Sequence, residues 1–440
     1  MRLPPRIYVP ALAAGLTALV IGLVFLWQIQ QSVQVIESGF FGARPQTSLT
    51  SIGTGRKRGT VISGSQALVL LREGELLELQ GQWEKAEQKY QESVANGGGL
   101  PSLRRLAAIQ MQRRKFDDAR KTIQTIRNND SDADDAKMLE GLLELRSGAV
   151  KKAKNIFQSM RSLPQGQYGL GLVAIAENEH ERATALLTDA AASAGSDTQS
   201  SARILLDAYR EFSLFADKQD EHLLALLARA LAQVNECEIA LPLAQKATQS
   251  LPSYRDAFLV KGYCELVTER TSQALATFER AYAIDSEKPE IQYFLARTYK
   301  AMNDTRNAIT FLQYAIINGF KPERDARELL AAYAIDASDT ALALEQYAAI
   351  IEDAPEDISA TETYVSLAIR IPGKSEDAYQ AALSLKKRLP NDPNALALLA
   401  EASQASGKRE EAANKAEAAL RLDPKNTRAK TVVERLKMPQ

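Results

Sequence analysis

Two histidines, two cysteines and two tryptophans are all that 440 residues contain, and each scarcity closes off a kind of chemistry. Cys237 and Cys264 cannot make a zinc site without histidines nearby, and the only histidines are His180 and His222. A single disulfide is compatible with the count, but two ordinary buried thiols are the expected state, because free cysteine behaves as a small core residue. His180 lies in E-N-E-H-E-R-A, where a metalloprotease helix would need a second histidine at the position of Thr184. It reads as a surface histidine on a charged turn. The acidic run D-S-D-A-D-D at 130–135 has the look of a calcium loop but puts Asp135 where that loop needs glycine, and it reads as a link that caps a helix. Gly53, Gly55 and Gly59 fail the G-x-G-x-x-G spacing of a phosphate loop. Asn129-Asp130-Ser131 and Asn303-Asp304-Thr305 match the glycosylation sequon, which matters only in a eukaryotic secretory setting. No enzyme, metal, cofactor or small-molecule substrate is expected.

Charge of one sign is also missing. The formal net charge is −1, so no basic excess points to nucleic acid as a partner. The balance is uneven along the chain: residues 1–65 carry six Lys or Arg against Glu37 alone, and the remainder is mildly acidic.

Fixed charge is absent altogether from Ile7 to Ile36. The 23 residues Ile7–Ile29 are mainly Leu, Val, Ile, Ala and Phe. As a helix they would span about 34 Å, enough for a hydrocarbon core of about 30 Å. Trp27 falls at the far end, where an aromatic ring suits the membrane interface. A cleaved signal peptide is the competing reading, but the following W-Q-I-Q-Q-S-V-Q-V-I-E has no A-x-A pattern. Residues 1–36 are therefore read as a retained anchor that meets the membrane through residues 7–29. Arg2 and Arg6 place its N-terminus in the cytoplasm and the rest of the chain across the membrane, periplasmic in a bacterium. Residues 37–64, rich in Gly, Ser and Thr, read as a flexible linker.

Beyond the linker one spacing recurs. Alanines at 240, 274, 308, 343, 378 and 412 are 34 or 35 residues apart, and Ala86, Ala119, Ala153 and Ala183 extend the series backwards. A period near 34 means one supersecondary unit repeated, each stacking on its neighbours to bury its apolar face. Each unit reads as two amphipathic helices: Leu295, Ala296 and Tyr299 mark the first helix of one unit, and Ala308, Leu312 and Ala315 its second. A small side chain at the fixed alanine lets the two backbones approach.

The pattern resembles the tetratricopeptide repeat over most of residues 65–440. Gly262, Ala274, Phe278 and Ala281 occupy the Gly, Ala, aromatic and Ala positions of one unit, and Leu227, Ala240, Ala247 and Pro252 fit the preceding one. Gly74, Trp83, Ala86 and Tyr90 mark the first, Gly141, Ala153 and Phe157 the third, and Ala412, Ala419 and Pro424 the last. In the ninth, Ser366 and Ala382 replace the glycine and the aromatic. The resemblance implies an all-α, right-handed α-solenoid of about ten helix-turn-helix repeats, preceded by one transmembrane helix. The register breaks once, between Ala183 and Ala240. Residues 65–192 are then repeats 1–4, residues 193–220 an irregular helical joint, and residues 221–440 repeats 5–10 with a polar capping helix at the end.

The same resemblance places the first helix of each repeat on a concave face that binds proteins. Counting from the Gly/Ala position, the groove would present His222, Arg229, Tyr263, Tyr293, Arg297, Lys300 and Arg370, a basic and aromatic strip suited to an extended or acidic peptide. The plain alternative is that these are ordinary solvated or inter-repeat residues. Arrays that clamp a chaperone's C-terminal carboxylate place Lys and Asn at two groove positions. Here those positions hold Leu71/Glu75, Arg104/Ala108, Ala225/Arg229, Leu259/Tyr263 and Tyr293/Arg297, which argues against a cytosolic chaperone adaptor. The expected function is a membrane-anchored scaffold for protein–protein interactions in a cell-envelope assembly such as polysaccharide export, pilus or secretion. The alternative is a cytosol-facing receptor that delivers client proteins to a translocation site.

Overall fold

The computed structural model describes residues 63–79, 82–129, 133–193, 197–215 and 219–437. The expected anchor and nearly all of the expected linker lie outside these residues. No described helix is long and apolar enough to cross a membrane.

The described residues form 22 α-helices and no strand. They fall into two compact units that part between Pro252 and Ser253. The first unit holds α1 (Ser63–Leu79), α2 (Trp83–Ala95), α3 (Gly99–Gln112), α4 (Phe116–Asn129), α5 (Ala133–Arg146), α6 (Val150–Ser159), α7 (Pro164–Ala176), α8 (His180–Ala192), α9 (Asp197–Ser213), α10 (Asp220–Gln233) and α11 (Cys237–Ser250). The second holds α12 (Arg255–Val267), α13 (Thr271–Ile284), α14 (Pro289–Ala301), α15 (Thr305–Ile317), α16 (Glu323–Asp336), α17 (Thr340–Asp353), α18 (Ile358–Ala368), α19 (Ser375–Arg388), α20 (Pro393–Ala405), α21 (Arg409–Leu422) and α22 (Thr427–Lys437).

Hairpins are the unit of packing. All ten recurring alanines, on the second helix of each hairpin, have no exposed surface. One turn further along lies the residue that fills the space between the two helices, and its size is matched to the residue facing it. Tyr90, Phe157 and Phe278 face Gly74, Gly141 and Gly262, where an added Cβ would come within 2.4–2.7 Å of the ring. Where the first helix carries alanine, as at Ala107, Ala296 and Ala400, the facing positions are Ile123, Leu312 and Ala416. The first helices of successive hairpins also touch one another, α3 with α5, α5 with α7, α12 with α14 and α18 with α20, giving each unit an inner layer.

In six hairpins the turn opens on a left-handed non-glycine residue just after the first helix. Arg114, Asn178, Asn235, Glu269, Asn303 and Ser338 all have φ near +60°. At α16, Ser338 N–H donates to Ile335 C=O at 2.9 Å and Asp339 N–H to Ala334 C=O at 2.8 Å, the paired bonds of a Schellman cap. After α20 the same pair recurs, Gly407 N–H donating to Gln404 C=O and Lys408 N–H to Ser403 C=O, here with φ +80° at Gly407. The second helices then open on aspartate caps in two cases, Asp304 accepting from Asn307 N–H at 3.1 Å and Asp339 from Leu342 N–H at 3.0 Å.

α9 has no hairpin partner of its own. It packs on α8 and α10 and also touches α7, so it takes an inner-layer place with no second helix behind it. At the other end, α22 lies on α20 and α21 and buries only Ala429 and Val432 fully, leaving a charged outer face.

Stability changes follow from this packing and these caps. Gly262→Ala is expected to cost about 1–3 kcal/mol by overpacking against Phe278, and Phe278→Leu in the same chain should recover part of it, read as non-additivity in a double-mutant urea series. Ser338→Gly should raise the stability of the second unit, because a non-glycine residue in the left-handed region costs roughly 1–2 kcal/mol, less the larger unfolded-state entropy of glycine. Gly407→Ser should lower it in the same assay.

Candidate functional site

The second unit gathers four of the seven counted groove residues. Tyr293, Arg297 and Lys300 are spaced i, i+4, i+7 and share one face of α14, while Phe294, Leu295, Ala296 and Thr298 are buried on the other sides. Tyr293 stacks on Phe320 with centroids 4.2 Å apart and planes at 9°. Tyr263, from α12, meets Phe294 edge to face at 5.4 Å. The Arg297 guanidinium lies 5.8 Å from the Tyr293 ring and 5.9 Å from Phe294. Lys300 Nζ lies 5.1 Å from the Tyr333 ring, 2.9 Å from the Asp336 carboxylate and 3.2 Å from Thr305 Oγ1. Both cations are thus held against aromatic faces at cation–π range. Burial pushes the Tyr333 hydroxyl far above its ordinary pKa, against an opposing effect of the Arg297 charge.

The counting missed Tyr333 and Asp336. Both lie on α16, three residues apart and 36 positions after Arg297 and Lys300, one beyond the 35-residue step of the repeat. A one-residue tolerance would have found them. The other three counted residues are elsewhere. Arg229 on α10 forms an ion pair with Glu211 on α9, and the His222 ring is 5.2 Å from that of Phe215. Arg370 is exposed in the link after α18, which ends at Ala368. The second unit also has an open groove of about 450 Å³ lined in part by Tyr364, Glu352, Asp377 and Arg388, which includes none of these residues.

The inner layer of the first unit is engaged with its own chain. Arg146, in the last turn of α5, donates from Nε and Nη2 to the two carboxylate oxygens of Glu236, each at 2.8 Å, and from Nη2 to the Asn235 carbonyl at 3.1 Å. Arg114 Nε lies 3.1 Å from Glu238 Oε1. The side chains of Arg146 and Glu236 are only 11% and 3% exposed. Burial disfavours the Arg146 charge, but the facing Glu236 outweighs it and raises the guanidinium pKa. Burial first, and then the Glu236 charge, push up the hydroxyl of the neighbouring Tyr168.

Two expectations require correction. Cys237 and Cys264 are not thiols; both are disulfide-bonded. They are 6% and 0% exposed, and such burial suits a thiol and a half-cystine alike, so composition could not separate the two states. His180, read as a surface histidine on a turn, is half-buried at the first position of α8. Its Nδ1 is 3.1 Å from the Tyr209 hydroxyl and its Nε2 is 3.1 Å from Asn178 Oδ1. Among the described residues no group of three or more His, Cys, Asp or Glu is placed to hold a metal ion. Residues 130–132 of the acidic run lie outside the described residues.

Comparison with known proteins matches residues 104–166, 226–289 and 268–333 to the tetratricopeptide repeat. These segments match tetratricopeptide repeats, and Arg229, Tyr263, Tyr293, Arg297 and Lys300 fall within them. No curated protein matches. Among solved structures the chain is similar to YrrB, described as a TPR protein with an unusual peptide-binding site, at 16% identity over 43% of this chain and 97% of that one, TM-score 0.35. It is similar to the Cut9–Hcn1 hetero-tetramer of APC/C at 13% identity over 84% of this chain and 76% of that one, TM-score 0.32. A further similar structure is pilF of Pseudomonas aeruginosa, at 17% identity over 49% of this chain and 97% of that one, TM-score 0.34.

One pH dependence follows from His180. Burial lowers its pKa, with a smaller opposing pull from Asp220, so the folded first unit favours the neutral ring. The corresponding stability is complete above the unfolded value of about 6.5 and is lost as the pH falls towards the folded value. The melting temperature should therefore decline as the pH falls below about 6.5, and His180→Gln should flatten that decline.

Proposed function

We propose that the protein is a membrane-tethered scaffold whose repeats lie outside the cytoplasm, and that the face around Tyr263, Tyr293, Arg297 and Lys300 takes an extended acidic stretch of a partner protein. The observation that carries this reading is the placement of two cations of α14 on aromatic rings, Tyr293 of the same helix and Tyr333 of α16. Such a cation keeps its charge while the ring supplies contact area, and Tyr and Arg are the residues most used where proteins recognise one another. Lys300 has Asp336 as its acidic partner, but the Asp336 side chain is 60% exposed. A pair of that kind contributes only about 0–1 kcal/mol, so a carboxylate of the partner can take the place of Asp336 at little cost.

The uncharged stretch 7–36 supports the tether. The disulfide-bonded state of Cys237 and Cys264 supports an oxidising compartment, since cytosolic reductants keep thiols reduced. The partners held there would be components of an envelope assembly for polysaccharide export, pilus formation or secretion. In a receptor with its repeats in the cytosol both cysteines would be expected as thiols.

In-cell crosslinking of the intact protein, compared with Tyr293→Ala/Arg297→Glu, tests the face. Loss of two anchor residues should cut recovery of envelope proteins at least about tenfold, and equal recovery would remove this face as the binding surface. Maleimide labelling of acid-quenched cells, with the protein unfolded in urea so that both buried cysteines are accessible, tests the compartment. Cys237 and Cys264 should label only after a reductant is added; prompt labelling without one would favour the cytosolic receptor.

A further inference from the structure

The contact between α5 and α11 breaks the rule by which the rest of the first unit is built. In a stack of hairpins each unit touches its neighbours, yet Arg146 and Glu236 are 90 residues apart and are separated by α6 to α10. The recognition is specific in form. Two arginines at the ends of the inner helices α3 and α5 meet two carboxylates spaced two residues apart, Glu236 and Glu238, and Arg146 reads the backbone carbonyl of Asn235 as well. A planar guanidinium bonded to both oxygens of one carboxylate is the geometry by which proteins select acidic segments. The turn that is held keeps its cap bonds, Glu236 N–H to Leu231 C=O at 2.8 Å and Ala240 N–H to Glu236 C=O at 3.0 Å, but lacks one further bond of its own helix. Pro242 lies inside α11 and has no N–H to give to the Glu238 carbonyl, so the first turn of α11 depends more on the two arginines.

We propose that the inner face of the first unit, at Arg114 and Arg146, is a binding site for an acidic turn with two carboxylates two residues apart, occupied in cis by Asn235–Glu238, and that a partner bearing such a turn exchanges with it. This site is independent of the face assigned above to the second unit, and it fails or stands without it. The partner is a protein segment of sequence type Glu-x-Glu. The cis turn raises the concentration that the partner must reach, because an intramolecular competitor has a high effective concentration.

The test uses the full-length protein under reducing conditions, so that the half-cystine at 237 does not hold the turn. The probe is a fluorescein-labelled peptide of residues 233–242 with serine in place of Cys237, followed by anisotropy. Glu236→Gln/Glu238→Gln, confirmed as folded by circular dichroism, should bind the peptide at least about tenfold more tightly than wild type. Adding Arg114→Gln should abolish that gain. A folded double variant that binds no better than wild type would overturn the proposal. Should Glu236→Gln prevent folding by leaving Arg146 without its carboxylate, Glu238→Gln alone provides the second reading. It should raise amide exchange at residues 235–240 at least about tenfold while α3 and α5 stay protected. Unchanged exchange, or a rise throughout the first unit, would mean that the contact is a fixed clasp and would overturn the proposal equally.

Discussion

Everything in this fold depends on how closely two helices of one hairpin can approach. The recurring alanine on each second helix, with no exposed surface at any of its ten occurrences, sets that distance. The residue one turn later then has to match what faces it: a ring over glycine, an aliphatic chain or alanine over alanine. Interiors packed to this density do not tolerate an extra methyl group without a shift of the surroundings. The hairpin alone leaves apolar surface on both flanks, and only the next hairpin covers it. Extension of the array is therefore a consequence of the packing inside each unit, as is the inner layer made by the first helices.

With the interior filled by Ala, Leu and Phe, the inner-layer side chains that point away from it are free to carry recognition chemistry, and the two units use them differently. In the second, Arg297 and Lys300 rest on rings, and the carboxylate that Lys300 meets is well exposed. In the first, Arg146 is almost fully buried against a carboxylate of its own unit. The physical difference is desolvation. An exposed pair is weak and exchangeable, whereas a buried pair is costly to break from one side only. The same residue type thus gives an open face in one place and an occupied one in another.

Legibility from the sequence followed the range of the interaction. The helix pairs, their register and the small–large complementarity arise within one period, so they are visible as spacing. The extra helix α9 is visible too, as the 57 residues from Ala183 to Ala240. The candidate face was visible in part. Tyr293, Arg297 and Lys300 share a helix, and their common face follows from 3.6 residues per turn. Tyr333, from the next hairpin, and the stacking of Tyr293 on Phe320 depend on how hairpins are set against each other. Arg370 shows the limit of counting: the 35-residue spacing from Ala343 to Ala378 accompanies a first helix that ends at Ala368, so the counted position falls in a link.

What the sequence determined by itself was a series of repeated helical hairpins behind an uncharged N-terminal stretch, because periodicity and composition are local properties. What only the tertiary structure decided was which charges are already taken. The pairing of Arg146 with Glu236, of Arg229 with Glu211 and of Lys300 with Asp336 joins residues 90, 18 and 36 positions apart. The oxidised state of the two cysteines was likewise out of reach, since burial of a small side chain is common to both states. A charge that looks free in the sequence is free only where folding brings no opposite charge to it, and no local pattern records that.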